Sequence, residues 1–304
     1  MQPFARLGAL LRLDDIDMDI SREDFDNISS MIKEKSGICL GNAKTSFLAS
    51  KLAHRLKETN SESVKEYYFY LKYDSKGMIE LDNLIETVTV GETFFFRHQE
   101  QLDDFAGQVL PEILKHRRNL HPLSIWSAGC SSGEEAYTLA IMLLESNCKL
   151  DRDSINIMAS DISASALHSA REGIYDDYSV RNVPRGLLYK YFEKTAKGKY
   201  LIAPTIKQIV RFASINLMDY RSTSRVRNVD CIFCRNVIIY FDEKDKRRCV
   251  EHLYESLSED GYVFLGHSES LGRISNLFEP LKLRHTVAYR KPVRGTGQRK
   301  LVLS

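Results

Sequence analysis

The sequence has few of the features that mark membrane, secreted or disordered proteins. No run approaches the ~18 consecutive apolar residues that a membrane helix requires, so we expect no direct membrane insertion. Only 16 glycines and 7 prolines occur among 304 residues, which excludes a collagenous or low-complexity chain. Six cysteines scattered over this length do not indicate a disulfide scaffold. We therefore expect a globular, monomeric protein of the cytoplasm.

An excess of charge of one sign is also missing. The 43 basic residues nearly balance 41 acidic ones, which leaves a net charge of only +2. No global field therefore draws the chain to nucleic acid, and we expect no nucleic-acid partner. The CxxC pair Cys231 and Cys234 lies in an apolar run with strand character, where residues three apart point to opposite faces. We expect the two thiols to diverge and no metal to bind there.

The length of 304 residues exceeds that of a usual single domain of about 100 to 200 residues, so two folding units are expected. Residues 21 to 90 show apolar positions at helical spacing, beginning with a capping pattern from Ser21 to Asp24. From residue 120 onward, short apolar runs alternate with amphipathic segments, which is typical of a parallel sheet with helices on both faces. The predicted divisions are a helical domain over 18–90, a linker over 91–119, an α/β domain over 120–291 with an insertion at about 176–206, and a flexible tail over 292–304.

The α/β region predicts specific elements from its apolar pattern. The predicted strands are 123–127, 155–159, 210–214, 229–233, 262–265 and 286–290, and the predicted helices are 134–145, 164–172 and 243–257. Open parallel sheets bind ligands at the carboxyl ends of their strands. Polar residues just after these strands are therefore the candidates for a site.

A glycine-containing turn follows the first predicted strand and leads directly into a helix. Gly129 and Gly133 give the spacing GxxxG, which is not the dinucleotide fingerprint GxGxxG and therefore disfavours a dehydrogenase. Glu134 at the helix start would repel a pyrophosphate, but it could bind an amino group such as that of a methionine moiety. A plain tight turn followed by an acid that favours the helix dipole is the alternative.

Further polar groups follow the later strands. Asp161 ends the second predicted strand, where it could accept hydrogen bonds from ribose hydroxyls or could simply cap the next helix. The pairs Asn216–Leu217 and Arg235–Asn236 suit an adenine edge and the tail of a cosubstrate. Upstream, Thr93–Arg97 joins three phenylalanines to one arginine, a composition that by itself more often marks a core segment with a surface charge than a functional site. His98, His168 and His267 have no evident partner in the sequence.

Several motifs in a fixed order carry a family resemblance: TFFFR, WSAGCSSGEEAYTLA, ASDIS, INL, FCRNVIIYFD and GYVFLGHSES. From about residue 18 to 291 the chain resembles the CheR family, the bacterial glutamate methyltransferases of chemotaxis receptors. The resemblance implies a Rossmann-like class I methyltransferase domain, preceded by a small all-α domain and containing a small inserted β-subdomain. It also implies S-adenosylmethionine as methyl donor, S-adenosylhomocysteine as product, and glutamate γ-carboxylates on the cytoplasmic methylation helices of methyl-accepting chemotaxis receptors as acceptors.

The resemblance also implies roles for individual residues. Arg97 would face the cosubstrate carboxylate, Glu134 its amino group and Asp161 its ribose. The whole predicted cosubstrate set is Gly91, Thr93, Arg97, Gly129, Glu134, Asp161, Asn216, Leu217, Arg235 and Asn236. Gly91 stands where family members often carry Asn, so a side-chain contact expected there is absent. Arg97 and Tyr240 are the candidates for positioning the acceptor, and no general base is expected because a glutamate is already ionised at neutral pH.

A basic segment in the helical domain suggests how an acidic acceptor would dock. No acid occurs from residue 41 through 57, and the cations there are Lys44, Lys51, Arg55 and Lys57. We expect these four side chains to face the glutamate-rich receptor helices. Two alternatives remain at this point: a non-catalytic sensor or adaptor that binds S-adenosylmethionine, and a methyltransferase for another acidic substrate.

Overall fold

A computed structural model describes residues 20–41, 44–89, 91–116, 122–148 and 150–292. The chain divides into two compact units: Met1–Val88, here called the helical unit, and Thr89–Ser304, the sheet unit. Nearly all of the predicted flexible tail lies outside the described residues. No helix in the described part is long and apolar enough to cross a membrane.

The described residues of the helical unit form four helices. These are α1 (Arg22–Ser36), α2 (Thr45–Thr59), α3 (Val64–Tyr73) and α4 (Gly77–Val88). The predicted cap of α1 is confirmed, because the Ser21 hydroxyl accepts a hydrogen bond from the Asp24 amide at 3.1 Å. The helix ends at Gly37, whose φ of 77° is the left-handed conformation typical of a C-terminal cap. The apolar faces of the helices, including Ile28, Leu52 and Leu84, are buried.

Arg55 has a different place from the one expected of a docking residue. Its Nε and Nη2 donate to the two carboxylate oxygens of Glu80 at 2.8 and 2.5 Å, and Tyr67 donates to the same carboxylate at 2.6 Å. The Arg55 side chain is only 14% exposed and that of Glu80 only 6%. Arg55 is therefore an internal ion-pair partner that joins α2 to α4, and the prediction that it faces an acidic acceptor is wrong.

The sheet unit opens with the short helices α5 (Gln99–Asp104) and α6 (Leu110–His116), joined by a π-helical turn. The remaining helices are α7 (Glu134–Glu145), α8 (Ala164–Glu172), α9 (Asp177–Val180), α10 (Arg185–Tyr191), α11 (Pro204–Lys207), α12 (Tyr220–Thr223) and α13 (Glu243–Ser256). The strands of the main sheet are β1 (Leu123–Ala128), β2 (Ile155–Asp161), β6 (Val210–Ser214), β7 (Val229–Cys234), β8 (Leu257–Leu265), β9 (Glu279–Lys282) and β10 (Val287–Arg290).

Within the described residues these strands form one seven-stranded sheet in the order β6-β2-β1-β7-β8-β10-β9. The first five run parallel, and β10 is antiparallel to both of its neighbours. The predicted open parallel sheet is thereby confirmed. In this order β2 lies on one side of β1 and β7 on the other, so the strand order reverses at β1. The carboxyl ends of the strands around β1 are consequently the expected place for a ligand.

Two strand predictions need correction. β8 begins at Leu257, earlier than predicted, because the chain pairs Val229 with Leu257 before a register irregularity and only then pairs Cys231 with Tyr262. The polar residues between, with Asp260 at a φ of 60°, look like a loop in the sequence. The edge strand β9 was missed, because its sequence EPLK has a proline and two charges, which weaken the strand signal.

The sheet is buried on both faces, and β7 shows how. Cys231 and Phe233 pack in one apolar core, whereas Ile232 and Cys234 pack in the other. The two thiols of the CxxC pair therefore lie on opposite faces of the sheet, as the strand geometry predicted.

The inserted segment forms a sheet of its own. Strands β3 (Ile174–Tyr175), β4 (Phe192–Lys194) and β5 (Tyr200–Ile202) pair antiparallel in the order β3-β5-β4. The chain turns between β4 and β5 at Gly198, whose φ is 77°. This small sheet, together with α9 and α10, occupies the region predicted as an insertion.

The ion pair of Arg55 gives a test within the helical unit. The change Arg55→Met should lower the free energy of unfolding of this unit by about 3 kcal/mol, because it leaves the buried carboxylate of Glu80 without its cation. The change Lys57→Met on the same helix removes an exposed charge and should have little effect. Urea unfolding followed by circular dichroism measures the loss, and the single tryptophan, Trp126, reports separately on the sheet unit. Equal stability of the two variants would contradict a structural role for Arg55.

Candidate active site

The turn after β1 is built so that only glycine fits at its first position. Gly129 has a φ of 86°, and a Cβ there would lie 2.3 Å from Cγ2 of Val237. Its amide and that of Cys130 both donate to the Ser160 carbonyl, at 2.7 and 2.9 Å. Gly133, with a φ of 92°, immediately precedes α7. The glycine spacing therefore sets a tight turn against the carboxyl ends of β1 and β2.

Asp161 lies at the end of β2, directly against this turn. Its Oδ2 accepts from the Ser131 amide at 2.8 Å, and its Oδ1 accepts from the Ser163 amide at 3.0 Å. The cap of α8 is Ser163, whose hydroxyl accepts from Ala166. The alternative in which Asp161 itself caps that helix is therefore wrong.

Glu134 is a buried carboxylate that accepts hydrogen bonds from two hydroxyl groups. It is 2% exposed, and it accepts from Ser132 Oγ at 2.8 Å and from Ser179 Oγ at 3.3 Å. Among the described residues, no Lys, Arg or His lies within ion-pair distance of it. Burial raises the pKa of Glu134. A buried carboxylate of this kind is suited to receive a cationic ligand.

The neighbouring Glu135 is paired instead. Arg235 Nη1 donates to its Oε2 at 3.2 Å, and Ser127 Oγ donates to its Oε1 at 2.6 Å. Arg235 Nη2 also donates to the Arg97 carbonyl at 2.5 Å, and its side chain is only 4% exposed. The guanidinium of Arg235 is thus engaged by protein groups. Sequence reasoning missed Glu135, because nothing local shows which glutamate of the pair meets an arginine 100 residues away.

The segment Thr93–Arg97 lies across the same region. Phe95 is fully buried and donates from its amide to the Ser179 carbonyl at 2.9 Å, and the Phe96 amide donates to Thr138 Oγ1 at 3.1 Å. The half-buried Arg97 donates from Nη1 to the Glu92 carbonyl at 2.7 Å. Thr93 is half-buried beside it.

Gly91 approaches the glycine turn closely. Its carbonyl accepts from Ser131 Oγ at 3.2 Å, and a Cβ at Gly91 would lie 2.7 Å from that oxygen. A side chain at Gly91 would therefore require the Ser131 hydroxyl to move and would disturb this hydrogen bond. Backbone contact therefore stands where the resemblance led us to expect a side chain.

The loop after β6 is held in place by hydrogen bonds of its own residues and of His252. Asn216 Oδ1 accepts from the Met218 amide at 2.9 Å, and the carbonyl of the buried Leu217 lies 2.8 Å from Nδ1 of His252. That nitrogen must carry the proton, because a carbonyl can only accept. Asn216 and Leu217 are thereby held at the carboxyl edge of the sheet.

Glu269 organises the loops after β7 and β8, and sequence reasoning missed it. Its carboxylate accepts from the amides of Asn236, Ile239 and Gly266 at 2.8, 3.1 and 2.6 Å. Only the motif GHSES could have indicated it. The half-buried Tyr240 follows on a short 3-10 turn, and burial raises the pKa of its hydroxyl.

Two of the three histidines without evident partners are in fact neighbours. The rings of His98 and His267 lie 4.2 Å apart between centroids. Burial, together with the positive charge of Arg235, lowers the pKa of His98 to about 4. His98 is therefore neutral at neutral pH.

Comparisons of the sequence with known families match both units. The family model described as the all-alpha domain of CheR methyltransferases matches residues 23–89, and the one described as their SAM binding domain matches residues 91–287. The chain belongs to the CheR methyltransferase family. The resemblance noted in the sequence is confirmed.

Relatives of known name match this CheR chain over most of its length. Chemotaxis protein methyltransferase 2 of Vibrio cholerae is 40% identical over 92% of this chain and 97% of that protein. The chemotaxis protein methyltransferase of Borreliella burgdorferi is 34% identical over 86% and 93%, respectively. Chemotaxis protein methyltransferase 1 of Pseudomonas aeruginosa is 30% identical over 90% and 99%. The similarity to CheR proteins therefore includes both the helical unit and the sheet unit.

The buried pair of Glu135 and Arg235 can be tested by a double-mutant cycle. Glu135→Leu and Arg235→Met should each lower the free energy of unfolding of the sheet unit by about 3 to 5 kcal/mol, because each leaves one buried charge without its partner. The double variant should lose much less than the sum. Urea unfolding followed by the fluorescence of the buried Trp126 measures all three. Additive losses would show that the two side chains do not act as a pair.

Proposed function

We propose that this CheR-family protein transfers the methyl group of S-adenosylmethionine to glutamate γ-carboxylates on the cytoplasmic helices of chemotaxis receptors. The products are glutamate methyl esters and S-adenosylhomocysteine, and the role is adaptation in chemotaxis. The observation that carries the proposal is the joint match of the all-alpha and SAM binding domain models, supported by relatives named chemotaxis protein methyltransferases. Those names do not favour a non-catalytic sensor or adaptor, nor a methyltransferase for an unrelated acidic substrate.

The residues at the carboxyl edge of the sheet fit S-adenosylmethionine. Glu134 is a buried carboxylate with no Lys, Arg or His within ion-pair distance among the described residues, and this supports binding of the cosubstrate amino group. Asp161 lies at the end of β2, where a carboxylate can accept from ribose hydroxyls. Arg97 has no acid within ion-pair distance among the described residues, so it can face the methionyl carboxylate. Asn216 and Leu217 would lie beside the adenine. When bound, S-adenosylmethionine supplies an electrophilic methyl group on its sulfonium.

The protein needs to supply position rather than a base. The acceptor carboxylate is ionised at neutral pH, so no proton has to be removed before it attacks. Orienting two bound reactants can contribute about 7 to 11 kcal/mol, and removing water from the carboxylate makes it more nucleophilic. The raised pKa of Tyr240 keeps its hydroxyl protonated. Tyr240, on the short turn after β7, and Arg97 are the side chains proposed to position the acceptor.

The helical unit carries cations that suit an acidic acceptor. Because Arg55 is paired with Glu80, the predicted docking residues that remain are Lys44, Lys51 and Lys57. Lys57 is exposed and Lys51 is half-buried, with its Nζ 5.5 Å from the centroid of the Phe47 ring. Exposed charges of this kind mainly steer the encounter with a partner.

Transfer of labelled methyl groups tests the function. The protein, the labelled donor and membranes that contain chemotaxis receptors should give base-labile label on the receptor.

Glu134→Gln should weaken cosubstrate binding by about tenfold or more, because a charge-assisted bond contributes about 1.5 to 3 kcal/mol. Glu172→Gln, at an exposed glutamate that ends α8, is the matched control. Calorimetry measures both affinities. Unchanged affinity in a folded Glu134→Gln protein would show that Glu134 does not hold the amino group.

Reversal of two docking charges tests the acceptor face. The double change Lys51→Glu and Lys57→Glu should lower kcat/KM for receptor by about tenfold at low salt and by less at high salt, because salt screens the steering field. The affinity for S-adenosylmethionine should not change. Lys65→Glu with Lys76→Glu makes the same change in net charge at two exposed positions outside α2. If this control loses as much activity, net charge and not the face of α2 explains the effect.

A further inference from the structure

Two arginines of the sheet unit share one aromatic ring at the exposed rim of the site. The guanidinium carbon of Arg181 lies 3.6 Å from the centroid of the Phe94 ring and 3.6 Å from that of Tyr178. Arg97 approaches the same Phe94 ring at 5.5 Å. The two rings lie 6.4 Å apart with an interplanar angle of 73°. Arg181 is therefore held between two aromatic side chains.

Arg181 keeps donors available for a ligand. The residue is exposed, and its Nη1 donates to the backbone carbonyl of Tyr178. Within the described residues, no carboxylate lies within ion-pair distance of its guanidinium. A guanidinium in cation–π contact with aromatic rings keeps its N–H groups in its own plane, in the fork geometry that matches a carboxylate. The side chain is thus ordered in advance for an anionic partner.

Hydrogen bonds connect the neighbours of this arginine to Glu92 and Glu134. Tyr178 donates to Glu92 Oε1 at 2.7 Å, which holds one face of the stack. Ser179 accepts at its carbonyl from the Phe95 amide and donates from its hydroxyl to Glu134 Oε1 at 3.3 Å. Arg181 follows Ser179 by two residues. Arg181 is thus connected through Phe94 to the segment that carries Arg97, and through Ser179 to Glu134.

We propose that Arg181, which contacts the rings of Phe94 and Tyr178, binds an acceptor-side carboxylate that flanks the glutamate being methylated. This inference rests on the proposed function and adds a specificity-determining residue to it. A flanking carboxylate is favoured over the reacting one, because Tyr240 and Arg97 are already the proposed positioning groups for the reacting carboxylate. Glu92 is the nearby acid that opposes such binding, and its carboxylate is engaged by Tyr178.

The test uses two versions of a receptor cytoplasmic fragment and the full-length enzyme. One fragment keeps the glutamates that neighbour the methylated one, and the other carries glutamine at those neighbours. Arg181→Gln should lower kcat/KM on the acid-flanked fragment by about tenfold and leave the glutamine-flanked fragment within about twofold of wild type. Arg181→Lys should lie between, because it keeps the charge and loses the planar fork. Arg185→Gln, at an exposed arginine of the same segment, is the matched control.

Binding of S-adenosylmethionine and the Trp126 unfolding midpoint should be unchanged in Arg181→Gln. The inference is overturned by an equal loss on both fragments, by an equal loss in Arg185→Gln, by no loss at all, or by a loss of cosubstrate affinity. A wild-type enzyme that puts no base-labile methyl group on either fragment contradicts the proposed function itself. Activity of the wild type together with an unselective loss in Arg181→Gln contradicts the role of Arg181 alone.

Discussion

The buried ion pair of Glu135 and Arg235 holds together the parts that form the site. Glu135 is the second residue of α7 and also accepts from Ser127 in β1, while Arg235 follows β7 and donates to the Arg97 carbonyl. One interaction therefore joins a helix, two strand ends and the segment that carries Arg97. Desolvation offsets much of the attraction in such a pair, so its main effect is to fix one arrangement rather than to add net stability. Misplacement of either residue would move several site groups together.

The two adjacent glutamates at the start of α7 differ in whether the protein supplies a positive partner. Glu135 has its positive partner within the protein, whereas the more deeply buried Glu134 accepts hydrogen bonds from the hydroxyls of Ser132 and Ser179. A buried carboxylate without a cation is costly, and burial accordingly raises its pKa. A cationic ligand group would offset that cost, and the proposed amino group of S-adenosylmethionine has the right charge. The helix start thus combines one internal counter-charge with one position left for a ligand.

The sequence predicted what depends on neighbouring residues and missed what depends on distant ones. Periodicity placed α7 and α8 at their observed bounds, and the glycine spacing placed the turn after β1, because these features arise within a few residues. The partners of Arg55 and Arg235 lie 25 and 100 residues away, and no local pattern selects them among many glutamates. The acid-free stretch over residues 41–57 therefore looked uniformly exposed, although its single arginine, Arg55, is paired with Glu80 of α4. The motif order of the family added the residue roles that spacing could not supply.

Unsatisfied polar groups are concentrated around the site rather than spread over the fold. In the described residues, the buried side-chain atoms without a hydrogen-bond partner are Ser29 Oγ, His98 Nε2, Gln101 Oε1 and Arg235 Nε. Two of these belong to residues within four positions of Arg97, and a third belongs to the arginine that holds the Arg97 carbonyl. Each such atom costs free energy, and native folds keep few of them. Three of the four thus belong to residues that neighbour Arg97 in the sequence or bond to its carbonyl, where water or a polar ligand would be the partner of such atoms.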